Sequence, residues 1–186
     1  LIPYTYQYGE PFTHTGVYTT YQANDDLELG GALINGWDST ANWDPTGTAL
    51  AAAYPGIVDP WNRNIGGLVS VTKKNIFTCD GSDSFAYVGV FSKEPDITLV
   101  NRTSRYLQTL VYSRQIDERT QYVLQSDFGT QSDALAPGVS AQWYGVNQYL
   151  YWKHNDCWKF GANFEWFRDD DGFRVGAVLP SFGSPN

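Results

Sequence analysis

Residues 157–168 read CWKFGANFEWFR. From Trp158 to Trp166 every second residue is apolar, namely Trp158, Phe160, Ala162, Phe164 and Trp166, and between them stand Lys159, Gly161, Asn163 and Glu165. Side chains of a β-strand point alternately to opposite faces. The stretch therefore reads as a strand with four large aromatic rings on one face and a charged, hydrated set on the other. A soluble sheet would have to bury those rings beneath a second apolar layer. The chain has little from which to build one, because the opposite faces of its strands also carry Gln121, Gln125, Asp127, Asn147 and Arg174. Facing lipid removes the need for a second layer, and Trp158 and Trp166, at the two strand ends, would then sit near the two membrane interfaces.

Period two recurs through the rest of the chain. Strand candidates are 12–22 (FTHTGVYTTYQ), 27–38 (LELGGALINGWD), 64–73 (NIGGLVSVTK), 84–92 (SFAYVGVFS), 105–114 (RYLQTLVYSR), 120–128 (TQYVLQSDF), 141–153 (AQWYGVNQYLYWK), 157–168 and 172–179 (GFRVGAVL). That makes about nine, each near the length that crosses a bilayer when tilted. In 27–38 the residues Leu27, Leu29, Leu33 and Trp37 share one side, and Ile34 interrupts the polar side. The one helical period is a possible amphipathic turn at 49–56 (ALAAAYPG).

The connections alternate in length. Segments 22–26, 115–119 and 154–157 are tight polar turns, whereas 39–63, 93–104 and 129–140 are long and rich in Asn, Asp, Thr, Pro and Gly. Segment 74–83 is longer than its place requires and 169–171 is shorter. Short turns at one end and long loops at the other are the layout of an antiparallel up-and-down transmembrane β-barrel.

Composition narrows the function. A chain of 186 residues with net charge -8 reads as a single β-barrel domain, 1–186, or as a segment of a larger barrel, and its acidity argues against nucleic acid as a partner. No apolar run is long enough for a transmembrane helix, and the start LIPYTYQ lacks the basic and apolar regions of a signal peptide. With no initiator Met, the chain is expected to begin after processing or trimming.

Several residues invite chemistry. Asp169, Asp170 and Asp171, followed by Gly172, offer hard oxygen ligands for calcium but lack the spacing of a calcium loop, so a solvated turn is the expectation. His14 and His154 have no metal-ligand spacing around them, and no hydrolase signature is present, so neither a metal, a cofactor nor an enzymatic activity is expected. Asn101 to Thr103 matches a glycosylation pattern, a short motif that carries little weight alone. Lys159, Asn163, Glu165, Arg174, Gln121, Gln125, Asp127 and Asn147 are the pore-lining candidates, and Trp158, Phe160, Phe164 and Trp166 the lipid-facing ones. Arg105 and Arg114 have opposite parity, so only one of them can point inward. Two readings of the polar set stay open: it lines a pore, or it forms an ion-pair network that fills a closed barrel. Counting strand directions brings Cys79 and Cys157 to the same short-turn end, where an oxidising periplasm admits a disulfide if their Cα atoms lie within about 7 Å.

The stretch QWYGVNQYLYWKHNDCWKFGANFEWFRDDDGFRVGA (142–177) and the earlier pair GVYTTYQANDDLELGGALINGWDSTANW (16–43) resemble the β-barrel porin family of the OmpL-like type. The resemblance implies a bacterial outer-membrane barrel, a porin-like channel for passive diffusion of small solutes. It implies membrane lipid and small solutes as partners and admits a homo-oligomer. Bacterial single-chain barrels have an even number of strands, so residues 1–8 (LIPYTYQY) are expected to supply a further strand, or the chain to be part of a longer barrel. The competing reading is a soluble, exported β-sandwich that binds glycans through surface aromatics.

Overall fold

The computed structural model describes residues 2–37, 65–96 and 102–175. Among these residues the chain is a single antiparallel sheet of eight strands that pair in chain order: β1 (Gly16–Asn24), β2 (Leu27–Ile34), β3 (Gly66–Lys74), β4 (Asp83–Pro95), β5 (Arg102–Gln115), β6 (Thr120–Ala136), β7 (Val139–Lys153) and β8 (Lys159–Asp169). Each corresponds to a stretch of alternating sequence. The fold is all-β and up-and-down, and no second sheet lies over it among the described residues, so a sandwich core is absent from that part of the molecule.

Three sequence expectations are corrected. The further strand expected from residues 1–8 is not formed by residues 2–8: Thr5–Gly9 is a single wide helical turn that packs on one face of the sheet. The loop expected at 129–140 is mostly strand, since β6 and β7 run on to a two-residue connection, Pro137 and Gly138. Gly138 has φ +80°, which with Pro before it suits a type II turn. The last candidate strand, 172–179, is a turn as far as residue 175. Its remainder, the segment 49–56 and Asn101 of the glycosylation pattern lie outside the described residues.

Directions along the meander bring the turns at 25–26, 75–82, 116–119 and 154–158 to one end. There they are tied side by side: Asp26 O accepts from Lys74 N at 2.8 Å, Ser82 O from Gln115 N at 2.7 Å, and Arg119 O from Lys153 N at 2.8 Å. The longer 75–82 turn closes on Asp83, whose buried carboxylate takes Ile76 N, Phe77 N and Thr78 Oγ1. That local cap accounts for its length. Cys79 and Cys157 are both exposed free thiols, so the bridge that the direction count admitted is not formed. The hairpin β5–β6 stands between the two turns that carry them, at a spacing of about 4.8 Å per strand.

The sheet curls. Trp37, just past β2, lies 6.2 Å ring to ring from Trp143 on β7, and its amide donates to Glu94 Oε1 on β4 at 2.8 Å. In a flat sheet β2 and β7 would be about 24 Å apart. Around these rings gather Ile34, Val90, Leu107, Ala141 and Phe173, the buried apolar cluster on the inner face at the end opposite the tight turns. Ile34, which interrupted the polar side of its strand, is there at 4 % exposure. Trp37 is corrected: the Leu27 side of its strand faces out, but β2 ends at Ile34 and Trp37 turns inward.

Candidate functional site: the inner face of the sheet

Cross-strand register assembles the polar candidates. Gln125 pairs with Asn147 and Asn147 with Glu165, so the three stand in one row across β6, β7 and β8 on the inner face. Asp127 stands two residues from Gln125, opposite Thr109, whose hydroxyl donates to its Oδ1. Toward the tight turns the same face presents Gln121, Asn163 and Lys159, each the required even number of residues away.

The row is occupied by the chain's own beginning. Thr5 N donates to Glu165 Oε1 at 2.7 Å, and Thr5 Oγ1 donates to the same oxygen at 3.2 Å and to Asn147 Oδ1 at 3.4 Å. Gln125 Nε2 is shared between Glu10 Oε1 at 2.7 Å and Asp127 Oδ2 at 2.9 Å. Trp143 Nε1 donates to Gly9 O at 2.9 Å. The first turn of a helix leaves backbone N–H groups unsatisfied. Here a carboxylate from the wall takes one of them. Thr5 and Asn147 are wholly enclosed as a result. Burial and the Asp127 carboxylate push Glu10 up to about 7.

At the end opposite the tight turns the inner face carries cations on aromatic rings. The Arg105 guanidinium sits 4.9 Å from the Trp37 ring centre, and that of Arg174 lies 5.3 Å from Trp37 and 5.4 Å from Trp143. Arg174 Nε also donates to Tyr8 O at 2.6 Å. Gly129 leaves the room Trp143 needs: a Cβ there would fall 2.1 Å from its ring.

The outer face is of the other kind. Trp158, Phe160, Phe164 and Trp166 are 62, 52, 64 and 48 % exposed, on the side away from Thr5–Gly9. Aromatics crowd its ends, Trp152 and Phe160 toward the tight turns and Tyr144 and Trp166 toward the other, with Leu110, Leu124 and Val146 between. Several of its polar groups satisfy one another: Tyr87 and Tyr106 share a hydroxyl hydrogen bond at 2.9 Å, and Tyr122 donates to Gln148 Oε1 at 2.9 Å. A face that carries apolar side chains and self-paired polar atoms suits a solvent that cannot hydrogen-bond.

A family model described as "Putative beta-barrel porin-2, OmpL-like" matches residues 2–185. The chain belongs to this family. No curated protein and no solved structure matches it.

Within this barrel-porin fold some expected residues take other places. Arg174 is not on a strand; it follows β8 and reaches inward from a turn. The three aspartates do not converge on a cation: Asp169 accepts the amides of Phe173, Arg174 and Val175, Asp170 pairs with Arg168, and Asp171 accepts Gln142 N. Among the described residues no group of carboxylates, His or Cys is placed to hold a metal. His14 precedes β1 instead of lying within it. Of the two arginines of opposite parity, Arg105 is the inner one and Arg114 is exposed. Sequence reasoning missed Thr5, Gly9, Glu10 and Trp143. A five-residue turn has no period to read, and an aromatic on an inner face breaks the pattern that marks the outer one.

Proposed function

We propose that this barrel-porin family member is a bacterial outer-membrane channel for passive diffusion of small solutes, constricted from within by Thr5–Gly9, and that it has no catalytic role. One observation carries the reading: the sheet keeps its polar row, Gln125, Asn147 and Glu165, on the inside and leaves Phe160 and Phe164 uncovered on the outside. Membrane lipid is then the partner of the outer face and small solutes the partners of the inner one. A homo-oligomer belongs to the proposal on the family resemblance alone, and residues 1–186 are taken as one barrel domain or barrel segment. The polar set supports passage better than a self-neutralising filling, since Gln125, Asn147 and Glu165 bond to residues 5–10 and not to cations of the wall. Ion pairs such as Lys73 to Asp26 and Arg168 to Asp170 lie at the strand ends.

Reconstitution into liposomes tests it. Swelling in neutral sugars should be faster than in protein-free vesicles and should fall with sugar size. A protein that stays monodisperse without detergent and never enters the vesicles would overturn the proposal in favour of the glycan-binding soluble domain.

A further inference from the structure

At the tight-turn end the inner face opens into a cleft of about 400 Å³ lined by Arg119, Lys153, Lys159, Glu118, Gln121 and Tyr151 among others. Lys153 and Lys159 are direct cross-strand partners on β7 and β8. Arg119 is tied to the same strand end through the bond from Lys153 N to its carbonyl. The three cations thus form a row across adjacent strand ends. Like charges directly opposite one another in a sheet destabilise it, and this row uses a quarter of the 12 Lys and Arg in a chain of net charge -8. Two carboxylates offset it in part: Asp156 pairs with Lys153 at 2.7 Å from a position almost fully in solvent, and Glu118 stands at the rim. Lys159 has no ion-pair partner among the described residues.

One wall is aromatic. Tyr151 is opposite Gly161 on β8, and a Cβ at Gly161 would come 3.2 Å from its ring, so the ring lies close against the glycine; the Tyr149 ring is parallel to it at 6.1 Å, and Tyr151 keeps 44 % exposure. Gln121, its partner on β6, adds an amide beside the ring. A flat ring face, an amide and excess positive charge within one small cleft match a solute that has a sugar-like ring, hydroxyls and a negative charge.

We propose that this cleft is a binding site for acidic monosaccharides, with the carboxylate held by Lys159, Lys153 and Arg119 and the sugar ring on Tyr151. It names a solute class for the channel proposed above and rests on that reading for access to solute. Deeper along the same face Glu165 and Asp127 stand on the wall and Glu10 docks against it, a cluster of carboxyl groups. An anion is therefore held at this mouth.

Titration calorimetry on the folded full chain in detergent, with glucuronate, glucose and inorganic phosphate as probes, tests the site. Glucuronate should bind, glucose should not bind measurably, and Lys159→Gln should weaken glucuronate at least tenfold, as should Arg119→Gln. Both positions are exposed, so an unchanged shift between heated and unheated gel mobility verifies the fold. Tyr151→Leu should weaken glucuronate and leave phosphate unaffected. Phosphate binding as tightly as glucuronate, glucuronate affinity unmoved by either cation variant, or no binding at all would each overturn the proposal. Swelling of vesicles in neutral sugars reads the channel separately, so a channel without the site and a site without the channel are distinct results.

Discussion

Glu165 Oε1 accepts the amide of Thr5 at 2.7 Å, a bond between residues 160 apart in the chain. It joins the last described strand to the first ordered turn and sets the position of Thr5–Gly9 against the wall. Hydrogen bonds to charged groups contribute about 1.5 to 3 kcal/mol. Glu165→Ala should therefore loosen the turn, with faster deuterium exchange at the amides of 5–9 and faster vesicle swelling. Unchanged exchange there would mean that the turn is held elsewhere.

The same contact region responds to pH. Glu10 is raised from its ordinary 4.5 to about 7 by burial and by Asp127. A carboxyl raised in the docked state favours docking when protonated, so its contribution is fully present below about 4.5 and is lost as pH rises through about 7. Protection of the amides of 5–9, taken relative to the free-peptide exchange rate at each pH, should fall across that interval, and Glu10→Gln should flatten the dependence. A slope of opposite sign would contradict the docked geometry.

Gly129→Ala should destabilise the fold by about 1 to 3 kcal/mol, because the new methyl meets the fully buried Trp143 ring. Gly67→Ala is the control, since its Cβ would meet only Ala32 O, at 3.9 Å. Denaturant unfolding in detergent compares the two. Equal stability would show that Trp143 moves aside freely.

Depth along β8 separates two arginine substitutions. Phe164 is at the middle of the strand and Phe160 is its second residue. Phe164→Arg should cost about 2 to 4 kcal/mol and Phe160→Arg about 0 to 1, as expected for midplane and interface. Folding titrations into lipid vesicles measure both, and equal penalties would contradict the assignment of the outer face to lipid.

Cys79 and Cys157 should each react with a thiol-alkylating reagent in non-reduced, folded protein, adding two labels by mass spectrometry. A linked peptide pair would require the two turns to meet past the β5–β6 hairpin that stands between them.

The eight strands were legible because each keeps period two over enough residues, as in Trp158 to Trp166, and because tight turns such as Asn155 and Asp156 interrupt it cleanly. The row Gln125, Asn147 and Glu165 could be read as one face, but parity does not reveal register. Only the pairing on β7 showed that the three are neighbours. The extension of β6 through Gln131 and Ala136 was hidden because its inward polar side chains look like loop composition; Gln131 is in fact fully buried, accepting from Arg105 Nε at 2.7 Å. Trp37 and Trp143 were unreadable for the opposite reason. Their rings are apolar, yet a cation above them makes the inner face a suitable place.

Among the described residues the sheet ends in two margins, β1 and β8, that no further strand pairs, and every residue of β1 is exposed. In water the outward N–H and C=O groups of those margins are hydrated at little cost. In hydrocarbon each one left without a partner costs several kcal/mol. The margins therefore cannot enter a bilayer first and find partners later. For the channel proposed above, entry into the membrane and the pairing of both margins must be one concerted event, and a factor that hastens either step will hasten both.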